Sequence, residues 1–107
     1  MTYRFKILGC GSSGGVPRVG FGWGKCDPKN KKNRRLRCSL LVERISNSDK
    51  TTVLIDTGPD VREQLLTANV TNLDAVIYTH AHADHVHGID DLRTLAYRKK
   101  SKIPLWA

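Results

Sequence analysis

Long apolar runs, paired cysteines and aromatic residues are all scarce in this chain, and each scarcity removes a class of protein. No stretch approaches the roughly 20 apolar residues needed to cross a bilayer, and the N-terminus lacks a charged-then-apolar signal segment. The expectation is a cytoplasmic protein with no membrane partner. Cys10, Cys26 and Cys38 make an odd set without a disulfide-framework pattern, which fits a reducing compartment. Cys10 and Cys38 stand beside strands, where the reading is partly buried ordinary thiols. Seven aromatics in 107 residues and an apolar fraction of 39% allow a globular chain but not a generous core. A domain of this size has little stability to spare. Dimerisation or another partner would supply the rest.

Acidic residues are missing from the first third. Residues 1 to 38 hold ten Lys or Arg against one acid, a net +9, whereas residues 39 to 107 hold eight against nine. The excess gathers in Lys25, Lys29, Lys31, Lys32, Arg34, Arg35 and Arg37. Such a run raises the local concentration of an anionic substrate, and it equally describes a solvated loop. With no aromatic between Lys25 and Arg37 to stack on bases, a nucleic-acid surface is the weaker reading. Phe21 and Trp23, just upstream, keep RNA contact open.

Tyr3 to Leu8 alternates as a strand does, and a loop from Gly9 to Gly24 then takes seven of the nine glycines. Ser39 to Ile45 and Thr51 to Ile55 form a hairpin through Ser46-Asn47-Ser48-Asp49-Lys50. Pro59 and Asp60 open a helix to about Ala68, with Val61, Leu65 and Leu66 on one face. Ala75 to Thr79 is a short strand, and Ile89 to about Lys100 a second helix with Leu92, Leu95 and Ala96 inward. Ile103 to Ala107 reads as a further strand. Strands followed by strand-helix alternation indicate a mixed sheet with two helices, an α/β (α+β) arrangement over a single domain, residues 1 to 107. The basic loop 25 to 37 is inserted between its first and second strands.

The Gly9 to Gly15 loop has no helical pattern after it, so the dinucleotide fingerprint fails its own context. Its glycines suit either a tight turn or a backbone approach to phosphate. Ser12, Ser13 and Gly14 are the substrate-contact candidates of a loop at the rim of the site.

The richest segment is Thr79-His80-Ala81-His82-Ala83-Asp84-His85. His80 and His82, two apart at the end of an extended strand, point to the same side and suit one metal ion. Asp84 and His85 follow once the chain has begun to turn and face a second position close by. This is a two-metal layout. Imidazole with carboxylate suits zinc first, and manganese or iron accept the same set. His87 stands outside the pattern as a solvent-facing loop residue.

That H-x-H-x-D-H run at a strand end resembles the signature of the metallo-β-lactamase superfamily. Phe5 to Pro17, Arg37 to Glu43 and Leu54 to Gly58 look like the opening of its branch containing the cyclic phosphodiesterase of phosphonate breakdown, close to the tRNA 3′-processing endonucleases. The resemblance implies half of an αβ/βα sandwich and metal-assisted hydrolysis of a phosphodiester, such as a small cyclic one. His80 and His82 would hold the first ion, with Asp84 and His85 on the second and Asp84 also catalytic. Asp56, at the end of a strand, would orient one metal-binding histidine through its free ring N–H. Related phosphodiesterases carry an accessory zinc on a cysteine-containing insert; here that insert has Cys26 alone, which reads as an ordinary thiol.

The superfamily completes its two-ion site with further histidines and a bridging aspartate downstream. No histidine follows His87, and Asp90 and Asp91 are too close to the motif to match. The expectation is therefore the N-terminal half of an enzyme, weak in retaining metal. A shortened, non-catalytic metal-binding or interaction module and an RNA-processing nuclease of the same superfamily are the alternatives.

Overall fold

The computed structural model describes residues 1–107. The elements run β1 (Thr2–Gly9), β2 (Ser39–Ile45), β3 (Lys50–Ile55), α1 (Val61–Thr67), β4 (Ala75–Ile77), α2 (Ala83–Val86), α3 (Arg93–Lys99) and β5 (Leu105–Trp106). Short 3-10 turns occupy Lys31–Asn33 and Ile89–Leu92. The five strands form one mixed sheet in sequence order. β1, β2 and β3 are antiparallel neighbours, while β3, β4 and β5 pair in parallel.

Alternation sorts the side chains onto two faces. Leu41, Leu54 and Val76 lie in register on one face and meet Val61 and Leu65 of α1, together with Leu73 and Leu92. These seven residues are the whole buried apolar core. The opposite face carries Phe5, Val42 and Val53 in one row, and Ile7, Leu40, Ile55, Ile77 and Trp106 in the next. No helix covers that face. Phe5, Ile7 and Trp106 are 66%, 71% and 64% exposed. The fold is half of a layered sandwich, with one face packed and the other open.

The β2–β3 hairpin closes through Ser46, whose N–H donates to Asp49 O at 2.9 Å. α1 begins at Val61 rather than at Pro59, with Asp60 at the N-cap position in a non-helical conformation and making no side-chain cap bond. The Asp60 carboxylate turns instead to Arg37, accepting from its backbone N–H at 2.9 Å. Leu66, expected inward, is exposed. It falls off the stripe that runs from Val61 through Leu65, and Gln64 takes the buried place, donating Nε2–H to Arg37 O at 2.8 Å. The second predicted helix divides into the turn Ile89–Leu92 and α3, which stops where Lys100 adopts φ 58°. No helix is long and apolar enough to cross a membrane.

Candidate metal centre

Two strand ends and one short helix build the site. β3 delivers Asp56, β4 delivers Thr79 and His80, and α2 carries Asp84 and His85. Asp56 adopts φ 68°, a left-handed conformation that costs a non-glycine residue about 1 kcal/mol or more. Its surroundings hold it there. Asp56 N–H donates to Ile77 O at 2.9 Å, and Ser39 Oγ–H reaches Asp56 O at 3.0 Å. The turn aims the carboxylate across the strand ends.

That carboxylate is 4% exposed as a residue and accepts three hydrogen bonds. Thr79 N–H donates to Oδ1 at 2.8 Å, while Thr79 Oγ1–H and His85 Nδ1 meet Oδ2 at 2.7 and 2.6 Å. Burial alone pushes the carboxyl's pKa up. The donors from Thr79 and His85 outweigh it and hold the group below its ordinary value. An ionised carboxylate only accepts, so His85 Nδ1 must carry a proton. Thr79's hydroxyl proton is directed to Asp56, so its oxygen accepts from His80 Nδ1, 2.9 Å away. One buried carboxylate thereby fixes the Nδ1–H form at His85 directly and at His80 through Thr79.

The three imidazoles gather around His80. Its ring centroid is 4.6 Å from that of His82 and 4.1 Å from that of His85. The division into a His80–His82 place and an Asp84–His85 place is therefore not drawn by ring distances, since His85 is nearer to His80 than His82 is. Asp84 Oδ2 stands 3.2 Å from His85 Nε2, so His85 lies between two carboxylates. His80 and His82 are exposed.

Close backbone packing seats the motif. Thr57 N–H donates to His85 O at 2.9 Å, and Gly88 N–H donates to Thr57 O at 2.8 Å. A Cβ on Gly58 would run into Asp84 O, and one on Gly88 into Gly58 O. Beneath them Thr57 Oγ1 and Tyr78 Oη lie 2.7 Å apart. Burial and the Asp56 charge raise the Tyr78 pKa against that hydrogen bond. Thr57, Gly58, Tyr78, Thr79 and Gly88 are positioning residues that the sequence reading missed. The signals available were the Asp56-Thr57-Gly58 turn after a strand and a lone glycine three residues past His85.

Other candidates lie elsewhere. Ser12 and Ser13 are exposed on a turn closed by Gly15 N–H to Ser12 O, and Gly14 packs beside Arg18. None of the three hydrogen-bonds to the motif. His87 is exposed at the end of α2, and Asp90 pairs with Arg93 at 3.3 Å. Cys10 is exposed rather than partly buried, because it follows the last residue of the edge strand β1. Cys38 is half-buried, with Sγ–H on Gly11 O.

In donor chemistry the cluster suits a divalent cation, since a proton on Nδ1 leaves Nε2 as the ring nitrogen able to coordinate at His80 and, beside Asp84 Oδ2, at His85. In number it falls short. No group of three His, Cys, Asp or Glu side chains is arranged to hold an ion within this chain.

Comparison with known proteins agrees with this architecture. The beta-lactamase superfamily domain matches residues 51–107, and the chain belongs to that family. A diphosphatase of the PhnP family superposes on the whole chain with a TM-score of 0.83 and 39% identity, and 42% of that protein is covered. Zn²⁺-bound PqqB from Methylobacterium extorquens shares the fold at a TM-score of 0.65 and 22% identity, over 99% of this chain and 37% of its own. A segment of an octanoyltransferase of Porphyromonas gingivalis is 45% identical over 91% of the chain. A ribonuclease Z of Bradyrhizobium diazoefficiens is 44% identical over 61% of it. The chain spans 19% and 21% of those two proteins' lengths.

Proposed function

We propose that this chain carries part of the active site of a metal-dependent hydrolase acting on phosphate esters, with a small phosphodiester as the first substrate class. The observation that carries the reading is the Asp56 relay, which commits two neighbouring imidazoles to present Nε2 outward. A packed structural histidine has no need of such an arrangement. The likeness to a diphosphatase and to a ribonuclease supports phosphorus chemistry. The octanoyltransferase match covers a fifth of that protein and argues for a shared segment, not for acyl transfer.

His80 and His82 would hold one cation and Asp84 and His85 a second, zinc first. Bound there, a divalent cation supplies Lewis acidity toward water and a phosphoryl oxygen. Asp56 holds the His85 ring in place, Thr79 does the same for His80, and Asp84 places negative charge beside His85 Nε2. Two ligands per ion leave both shells open. In this reading the remaining ligands come from further chain or from a second copy.

The test is hydrolysis of bis(p-nitrophenyl) phosphate by protein of known zinc content. Zinc-dependent turnover abolished by His82→Ala supports the assignment. Turnover that is the same in metal-stripped protein, or zinc binding that survives loss of His80 and His82 together, overturns it.

A further inference from the structure

We propose that Arg18, Arg34, Arg35 and Arg37 form a pocket for a phosphate group that is bound but not cleaved, beside the histidine motif. This deepens the hydrolase reading and rests on it for the ligand's role as part of a substrate; the pocket itself does not depend on it.

The four arginines line a cavity of about 310 Å³ whose floor is the Gly14–Gly15 turn. Its walls are built. Val16 and Arg35 exchange both backbone hydrogen bonds at 2.9 Å, and Gly11 N–H donates to Leu36 O at 2.8 Å, which clamps the glycine loop to the basic segment. Arg18 rests on Phe21, its guanidinium carbon 5.3 Å from the ring centroid. The lining holds four arginines against a single acid, Asp60, which Arg37 already engages. Arg37 Nε is buried and 3.1 Å from Asp60 Oδ2, yet badly aligned for a hydrogen bond to it. The pocket therefore keeps a large positive excess and a fork-shaped donor set suited to phosphate oxygens.

Its place gives it meaning. A Cβ on Gly58 would run into Asp84 O and lie 3.9 Å from Arg37 Cβ. The stem of Arg37 and the backbone of the histidine-motif turn are thus both neighbours of one glycine. A substrate with a second phosphate would set one group in each place. No aromatic residue lines the cavity, which favours a small phosphate over the stacked bases of a polynucleotide.

Inorganic pyrophosphate is the probe, titrated by calorimetry at low salt into metal-stripped, dialysed protein, so that the metal site contributes nothing. Arg18→Gln with Arg35→Gln, both at exposed positions, is expected to weaken binding about tenfold or more. Lys31→Gln with Lys32→Gln is expected to change it less than about threefold. Arg35→Lys, which keeps the charge but loses the fork, should fall between. Equal loss in the lysine variant would reduce the pocket to a general field and overturn it, as would an unchanged arginine variant. Tighter binding of single-stranded RNA than of pyrophosphate at equal phosphate concentration would also overturn it, in favour of a polymer groove. Failure here with zinc-dependent hydrolysis intact would remove the pocket and leave the proposed function standing.

Discussion

Asp56 Oδ2 stands 2.6 Å from His85 Nδ1, and the same oxygen takes the hydroxyl proton of Thr79 at 2.7 Å. Two histidines 5 positions apart in sequence therefore answer to one carboxylate from a different strand. Thr79→Val removes the link to His80 while keeping size. It is expected to weaken zinc binding about 10- to 100-fold, whereas Thr79→Ser, which keeps the hydroxyl, should restore most of it. Competition against a chromophoric chelator reads both. Equal affinity in the valine variant would show that the relay has no part in metal binding.

Acid should act on the metal-free fold through Asp56. Its folded pKa lies below the ordinary 3.8, so the ionised carboxylate adds stability at pH above that unfolded value. The contribution is lost as pH falls from there through the lower folded value. Urea midpoints measured across that window should drop for the native sequence and stay flatter for Asp56→Asn. Parallel profiles would place the acid-sensitive group elsewhere.

Gly88 admits no side chain, because a Cβ would collide with Gly58 O. Gly88→Ala should cost about 1–3 kcal/mol as the motif turn is pushed off the Asp56–Gly58 loop. Chemical denaturation measures the loss, and an unchanged midpoint would mean the two backbones separate freely.

The open sheet face predicts association. Phe5, Ile7, Ile77 and Trp106 present a contiguous apolar surface that seven buried core residues do not offset. Light scattering of the 107-residue chain should show self-association that weakens in Phe5→Lys with Ile7→Lys. A native chain that stays monomeric at every concentration would contradict this.

Much of the fold was legible because alternation and turn residues mark strands directly. Tyr3 to Leu8, the Ser39–Ile55 hairpin and the strand before the motif all appear close to their expected positions. Leu66 was misplaced because a leucine beside a leucine hides which one lies on the stripe, and Gln64 was overlooked because burial of its amide depends on Arg37 O, 27 positions away. α2 has four residues, too few to show periodicity. The closeness of His80, His82, Asp84 and His85 in sequence was evident from spacing. The part of Thr79 was not, since a hydrogen-bond relay across three elements leaves no trace in a local pattern. The Arg37–Asp60 pair, 23 positions apart, was hidden for the same reason.

The most direct measurement is long-range ¹H–¹⁵N NMR of the histidine side chains in metal-free protein at mildly alkaline pH, repeated with zinc. The account predicts Nδ1–H at both His80 and His85, with their Nε2 resonances moving on zinc addition. Nε2–H forms at both rings, or Nε2 resonances indifferent to zinc, would contradict it.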